Sequence, residues 1–164
     1  MKKLTSIILC AVLFMTTVCA AGNKVDSTGS NTPETKGVLP MKLYIQIDNG
    51  TSKHTLTATL YDNSSSRALV DLLQKGKLTI EMHDYGNFEK VGSLPSSLPR
   101  NDTQITTEPG DIILYQGNQI TIYYDTNSWN FTLLGKIDGI TKAELKKILG
   151  KGNVTAVLSI QTSD

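Results

Sequence analysis

Short segments in which apolar and polar residues alternate are the feature that most limits how this chain can fold. Residues 41–48 (Met-Lys-Leu-Tyr-Ile-Gln-Ile-Asp) alternate with a period of two, and residues 54–61 repeat the pattern after an Asn49-Gly50 pair. Because successive side chains of a strand point to opposite faces, this alternation predicts strands with one buried face. Asn-Gly favours the positive φ angles of a tight turn, so the two strands are predicted to form an antiparallel hairpin.

Two helices interrupt a series of similar strands. The first helix is predicted to begin after the capping residues 62–65 and to end near Lys75-Gly76, and the second to cover residues 142–149. Thr141 and Glu144 have the spacing of a capping box for the second helix. The remaining predicted strands cover residues 78–83, 111–116, 119–125, 129–137 and 153–160, and residues 84–109 are predicted to form a long irregular loop. This order predicts a mostly β domain with two helices: a closed or nearly closed antiparallel barrel whose ends the helices cap.

The N-terminal region predicts export. Lys2 and Lys3 precede an apolar run from Leu4 to Val18, and small residues follow. That combination is typical of a cleavable signal peptide, and the run falls short of the roughly 20 residues that span a bilayer. Residues 1–20 are therefore predicted to be a signal segment, and a periplasmic or lipid-anchored location in the cell envelope is expected.

Two processing routes stay open. Val18-Cys19-Ala20 fits cleavage after Ala20, with small residues before the cut. Alternatively Cys19 is lipidated, which would suit the polar segment that follows, although Val18 is bulky where lipoprotein signals carry a small residue. Membrane attachment is expected only through this lipid.

The remaining composition predicts one domain on a tether. Residues 21–37 are almost entirely polar and are predicted to be a flexible tether, which leaves residues 38–164 as the globular domain. Removal of Lys2 and Lys3 from the 16 basic residues leaves 14 against 15 acidic residues. A chain so close to neutral, with no basic cluster, argues against nucleic-acid binding. His54 and His83 are isolated and lack metal-ligand spacing, so no metal site is predicted. The sequence has no glycine-rich phosphate-binding loop, and no cofactor is predicted.

Several motifs resemble a known family when taken in order. They are Leu-Tyr-Asp-Asn-Ser-Ser-Ser-Arg-Ala-Leu (60–69), Met-His-Asp-Tyr-Gly-Asn-Phe-Glu-Lys-Val-Gly-Ser-Leu-Pro (82–95), Glu-Pro-Gly-Asp-Ile-Ile-Leu-Tyr (108–115), Ile-Tyr-Tyr (122–124) and Leu-Gly-Lys-Ile (134–137). Together they resemble the bacterial cyclophilin-like fold family, from about residue 41 to residue 160. The resemblance implies an eight-stranded barrel with two capping helices. True cyclophilins isomerise X-Pro bonds with an arginine in a Phe-His-Arg-type motif, and this chain lacks that motif.

The candidate site residues cluster around the segment 84–90. Tyr85 and Phe88 are candidates to form the floor of a ligand pocket, beside Asp84 and Glu89. Arg67 stands at the start of the first helix, where the helix dipole disfavours a cation, so it is predicted to pair with Glu89 or, failing that, with Asp84.

One further candidate comes from the strand that follows. Tyr123 and Tyr124 point to opposite faces of one strand, so at most one of them lines the barrel interior, and the resemblance favours Tyr124. No catalytic set can be assembled from the sequence. The leading prediction is therefore a module that binds a small molecule or peptide segment, and the alternative is a peptidyl-prolyl isomerase of the cell envelope.

Overall fold

A computed structural model describes residues 37–161 of the chain. The predicted signal segment, Cys19 and all but the last residue of the predicted tether lie outside the described residues. Among the described residues, no helix has the length and apolar character needed to cross a membrane. The elements are, in chain order, β1 (Val38–Asp48), β2 (Lys53–Tyr61), α1 (Ser64–Gln74), β3 (Leu78–Tyr85), β4 (Glu89–Ser93), β5 (Thr103–Thr106), β6 (Asp111–Tyr115), β7 (Gln119–Tyr123), β8 (Ser128–Ile137), α2 (Lys142–Leu149) and β9 (Val154–Ile160).

The strands close into a barrel of eight antiparallel strands. They follow one another around the wall in the order β2, β1, β9, β3, β4, β7, β6 and β8. The end of β8 pairs with β2, with Ala58 opposite Ile137 and Leu60 opposite Gly135, and this pairing closes the ring. Closure removes the exposed edges that an open sheet would present. β5 lies outside the ring and pairs only with the first half of β8. The predicted fold class, a closed or nearly closed barrel of about eight strands with two helices, is confirmed.

Alternating side chains divide the wall into an inner and an outer face. The inward-facing side chains form the main core, which includes Leu43, Ile45 and Ile47 of β1. A second, smaller buried cluster lies on the opposite face of β6, β7 and β8 and consists of Ile113, Tyr123 and Phe131. The domain therefore buries apolar surface on both faces of part of its wall.

Both predicted helices are present, although α1 already begins at Ser64, within the residues predicted to cap it. Asn63 caps α1 and accepts a hydrogen bond from the Ser66 amide, while α2 starts with the predicted capping box of Thr141 and Glu144 and ends at Gly150. Each satisfied cap supplies partners for amides that the helix itself leaves unpaired. The buried faces of both helices contribute to the main core, through Leu69, Val70 and Leu73 of α1 and through Leu145 and Leu149 of α2.

The predicted loop over residues 84–109 is wrong in part, because it contains β4 and β5. β4 was not recognisable as a strand because its first four residues, Glu-Lys-Val-Gly, are buried on both faces and carry two charges, so no apolar alternation marks them. β5 is largely exposed, so its sequence does not show the apolar alternation of a strand with one buried face. The connection from β3 to β4 is a tight turn in which Gly86 and Asn87 both have φ of 59°.

Gly86 provides a test of this turn. A Cβ at Gly86 would lie 2.2 Å from Cε1 of Phe88, in addition to the left-handed φ. Gly86→Ala is therefore expected to lower the free energy of unfolding by more than the roughly 1–2 kcal/mol that a left-handed alanine costs. Urea unfolding measures the loss.

Gly50→Ala is the matched control. Gly50 has φ of 82°, and no described atom lies within 4 Å of the position its Cβ would take. Equal losses for the two variants would show that the contact with Phe88 relaxes without cost and would contradict the prediction.

Candidate functional site

A cavity of about 350 Å³ lies on the outer face of the barrel. It follows from strand alternation: on β7, Thr121 and Tyr123 face the cavity, whereas Ile120, Ile122 and the following Tyr124 join the main core. Outward-facing residues of β3, β4, β6 and β8 complete the walls. The lining residues are His83, Tyr85, Glu89, Val91, Tyr115, Gln119, Thr121, Tyr123, Asn127, Trp129 and Phe131.

Aromatic rings make up much of the cavity wall. Tyr123 stacks on Phe88 with ring centroids 6.0 Å apart and contacts Phe131 at 5.6 Å. Edge-to-face contacts continue this cluster to Tyr85 and, on the other side, to Tyr115. Such ring pairs hold one another in place, which pre-forms the wall. Tyr85 and Trp129 are each 59% exposed, so their surfaces stay open to solvent and to any molecule that enters.

Glu89 is the buried charged residue of the cavity. On β4 it stands directly opposite Tyr85 of β3 and Tyr123 of β7, and it is only 7% exposed. Its Oε2 and the neighbouring Thr121 Oγ1 make no hydrogen bond of normal geometry to any residue that the structure describes. Burial raises the pKa of Glu89, and the hydroxyls of Tyr123 and Thr121 and the charge of His83 only partly oppose it.

Lys90, the next residue of β4, points to the opposite face and is fully satisfied. Its ammonium group is 0% exposed and donates to Asp84 Oδ2 at 2.7 Å. It also donates to the carbonyls of Gly152 at 2.6 Å and Gly150 at 3.3 Å. The Tyr124 hydroxyl donates to the same Asp84 oxygen at 2.7 Å. Desolvation acts to raise the pKa of Asp84, but the bonds from Lys90 and Tyr124 prevail and hold it below its usual range.

The structure separates the residues that the sequence grouped as one site. Tyr85 and Glu89 line the cavity, and Phe88 supports it from behind Tyr123. Asp84 and Tyr124 belong to the interior cluster around Lys90, which agrees with the prediction that Tyr124 lines the barrel interior.

The predicted partner of Arg67 is wrong. Its guanidinium pairs with Asp62 at 2.6 Å, and its side chain is 61% exposed. Asp62 lies just before the N-cap of α1, where its carboxylate offsets the unfavourable interaction of the Arg67 cation with the helix dipole. Asp84 is already paired with Lys90. Arg67 therefore does not tie α1 to the turn between β3 and β4.

Sequence reasoning missed most of the cavity wall. Thr121 and Tyr123 lie on β7, which pairs with the distant β4 as well as with β6. Trp129 and Phe131 lie on β8, whose barrel neighbours β6 and β2 are not adjacent to it in sequence. The available signal was the outward register of Gln119-Ile-Thr-Ile-Tyr, which places Thr121 and Tyr123 on one face. Within the part of the chain that the structure describes, no group of three or more His, Cys, Asp or Glu side chains is arranged to hold a metal ion.

The strand order and its closure place the domain among the closed antiparallel β-barrels. A family model described as the Cyclophilin-like family matches residues 45–159, and the chain belongs to this family. A comparison with curated proteins found no match.

Lys90 is expected to stabilise the fold. Lys90→Met would leave Asp84 and two carbonyls without their shared donor, and breaking a buried ion pair costs about 3 kcal/mol or more. Lys142→Met, which removes a half-exposed pair with Asp125, is the control and should cost under about 1 kcal/mol. Denaturant unfolding of both variants measures the difference, and a Lys90→Met protein as stable as the control would refute it.

Glu89 is expected to have the opposite effect on stability. Burial raises the pKa of Glu89 in the folded state, so ionised Glu89 destabilises the fold. This loss of stability is absent below the ordinary pKa of 4.5 and develops as the pH rises through the raised value. Glu89→Gln should therefore be more stable than the wild type at neutral pH, by about 0.5–2 kcal/mol. The gain should disappear in acid.

Unfolding measured across pH tests this, with Glu81→Gln as the control. Glu81 is an exposed glutamate on β3, so its substitution should show no pH-dependent gain. A Glu89→Gln protein less stable than the wild type at neutral pH would mean that the carboxylate is compensated in the folded state.

Proposed function

We propose that the protein is an exported cyclophilin-like barrel that binds a small molecule or a peptide segment in the cavity on its outer face. The observation that carries the proposal is Glu89, a buried carboxyl with an unpartnered oxygen in an aromatic cavity. Buried polar groups in folded proteins are normally satisfied, and those that are not call for an explanation. Binding of a ligand that completes the polar contacts around this carboxyl is the explanation proposed here.

Shape and composition support the same proposal. A volume of about 350 Å³ falls within the usual range of small-ligand sites, which is roughly 300–1,000 Å³. Such sites combine apolar and aromatic walls with a few polar groups that orient the ligand. Here Glu89, Thr121, Gln119 and Asn127 are polar groups of that kind.

The isomerase alternative receives less support from the same cavity. Isomerisation in true cyclophilins relies on an arginine that hydrogen-bonds the twisting amide, and none of the described residues lining this cavity is an arginine. Arg67 is on α1, and Arg100 lies in an adjoining cleft, where it pairs with Asp102. A role in binding therefore fits the site better than catalysis of this kind.

The proposed location outside the cytoplasm rests on the N-terminal segment. Lys2, Lys3 and the apolar run that follows support it. Mass spectrometry of the secreted or membrane-associated protein distinguishes cleavage after Ala20 from lipidation at Cys19.

Trp129 offers a direct measurement of binding. It is the single tryptophan of the chain and lines the cavity. Small molecules and short peptides that raise the melting temperature are expected to change its fluorescence. Tyr85→Ala should weaken their binding about tenfold, because an exposed aromatic wall is lost while the core is untouched.

Tyr44→Ala is the control, since Tyr44 lies on β1 and does not line the cavity. The proposal fails if no compound changes either the melting temperature or the Trp129 emission, or if both tyrosine variants weaken binding equally. In a proline-limited refolding assay, where the uncatalysed step takes tens to hundreds of seconds, no acceleration is expected. Acceleration would favour the isomerase instead.

A further inference from the structure

We propose that the ligand of the outer cavity carries an organic ammonium group, which binds beside Glu89 and against the aromatic wall. This inference rests on the proposed binding function and names the chemical class that the cavity selects. Three independent features of the cavity support it: the state of its carboxyl group, the nature of its walls and the balance of charge around it.

The first feature is the contrast between the two buried charges of β4. Lys90 has one carboxylate and two carbonyl partners, so its charge is compensated within the fold. Glu89 is also buried, yet among the described residues one of its oxygens has no hydrogen-bond partner, and His83 is the one cationic side chain whose charge acts on it. A buried carboxyl in this state gains most from a ligand that brings a positive charge.

The second feature is the aromatic wall. Tyr85 and Tyr123 flank Glu89 directly across the two neighbouring strands, and Trp129 and Phe131 lie in the same lining. Aromatic faces attract ammonium groups, most strongly where water is excluded. The chain already uses this interaction elsewhere, because the Lys146 ammonium lies 5.6 Å from the centre of the Tyr124 ring.

The third feature is the charge around the cavity. None of the described lining residues is a lysine or an arginine. An adjoining cleft contains Arg100 and shares Tyr115 and Trp129 with the cavity, but the guanidinium is paired with Asp102. Among the described lining residues, the titratable groups besides Glu89 are His83 on β3 and the tyrosines of β3, β6 and β7, and none of these residues is a second carboxylate. Glu89 is thus the lining group that carries a full negative charge when ionised.

A neutral Glu89 that donates to a ligand carbonyl is the competing chemistry. The raised pKa of Glu89 makes the protonated form more accessible, so the two readings must be separated by experiment. The two chemistries predict opposite changes of affinity with pH. Binding of an ammonium ion weakens as the pH falls and Glu89 is protonated, whereas binding of a carbonyl strengthens.

The experiment compares matched probes on the full chain. Benzylammonium and benzyl alcohol have the same ring and differ in charge, and Trp129 fluorescence reports binding at the site itself. Benzylammonium is expected to bind more tightly than benzyl alcohol. Glu89→Gln should weaken the ammonium by about ten- to hundredfold, the usual effect of losing a hydrogen bond to a charged group, and should leave the alcohol unchanged.

Glu108→Gln is the control for loss of one negative charge. Glu108 is exposed, pairs with Lys136 and does not line the cavity, so its substitution should leave both affinities unchanged. The part of the pH dependence that is lost in Glu89→Gln belongs to Glu89, because His83 is present in both proteins. Nα-acetyl-lysine methylamide, included as a further probe, distinguishes a lysine side chain of a peptide from a free amine as the source of the ammonium group.

Each outcome decides the question. Equal affinity for benzylammonium and benzyl alcohol, or an ammonium affinity that Glu89→Gln does not reduce, overturns the inference and leaves the binding function intact. Tighter binding at lower pH that depends on Glu89 also overturns it, in favour of a carbonyl ligand. If no probe and no compound of the wider screen perturbs Trp129 or the melting temperature, the proposed function fails as well.

Discussion

The buried ammonium of Lys90 is the interaction on which the arrangement of this domain depends. It joins the end of β3, through Asp84, to the segment between α2 and β9, through the carbonyls of Gly150 and Gly152. An isolated ammonium in the barrel would be too costly to bury, so these partners must be in place in the folded state. The same anchoring fixes which face of β4 points inward. Because alternate residues point to opposite sides, Glu89 must then face the outer cavity.

Much of the fold was predictable from sequence because it depends on local rules. Alternation marked β1 and β2, and the caps at Asn63 and Thr141 marked the helix starts, since each of these signals is complete within a few residues. β4 and β5 were not predicted because the burial of their residues depends on the strands with which they pair. A strand with charges on both buried faces has no pattern of its own, and β5 is defined only by its pairing with β8.

The site was less predictable for the same reason. Tyr85 and Glu89 were found because they stand close together in a polar and aromatic segment. Tyr123 and Phe131 reach the cavity through strand pairings that the sequence does not contain as a local signal. The prediction for Arg67 was wrong because a local partner was overlooked. Asp62, five residues before Arg67, supplies the carboxylate that pairs with the cation at the start of α1, so no distant partner is required.

The position of β5 outside the ring has a consequence for how such a protein diversifies. β5 pairs only with the part of β8 that carries Trp129, and Ile105 lies opposite that residue. Closure of the barrel depends instead on the far end of β8, at Gly135 and Ile137. Changes in β5 can therefore affect the surroundings of Trp129, a residue of the cavity wall, without altering the pairing of β2 with β8 that closes the barrel. The surface around Trp129 can therefore vary through this one appended strand while the closed barrel stays the same.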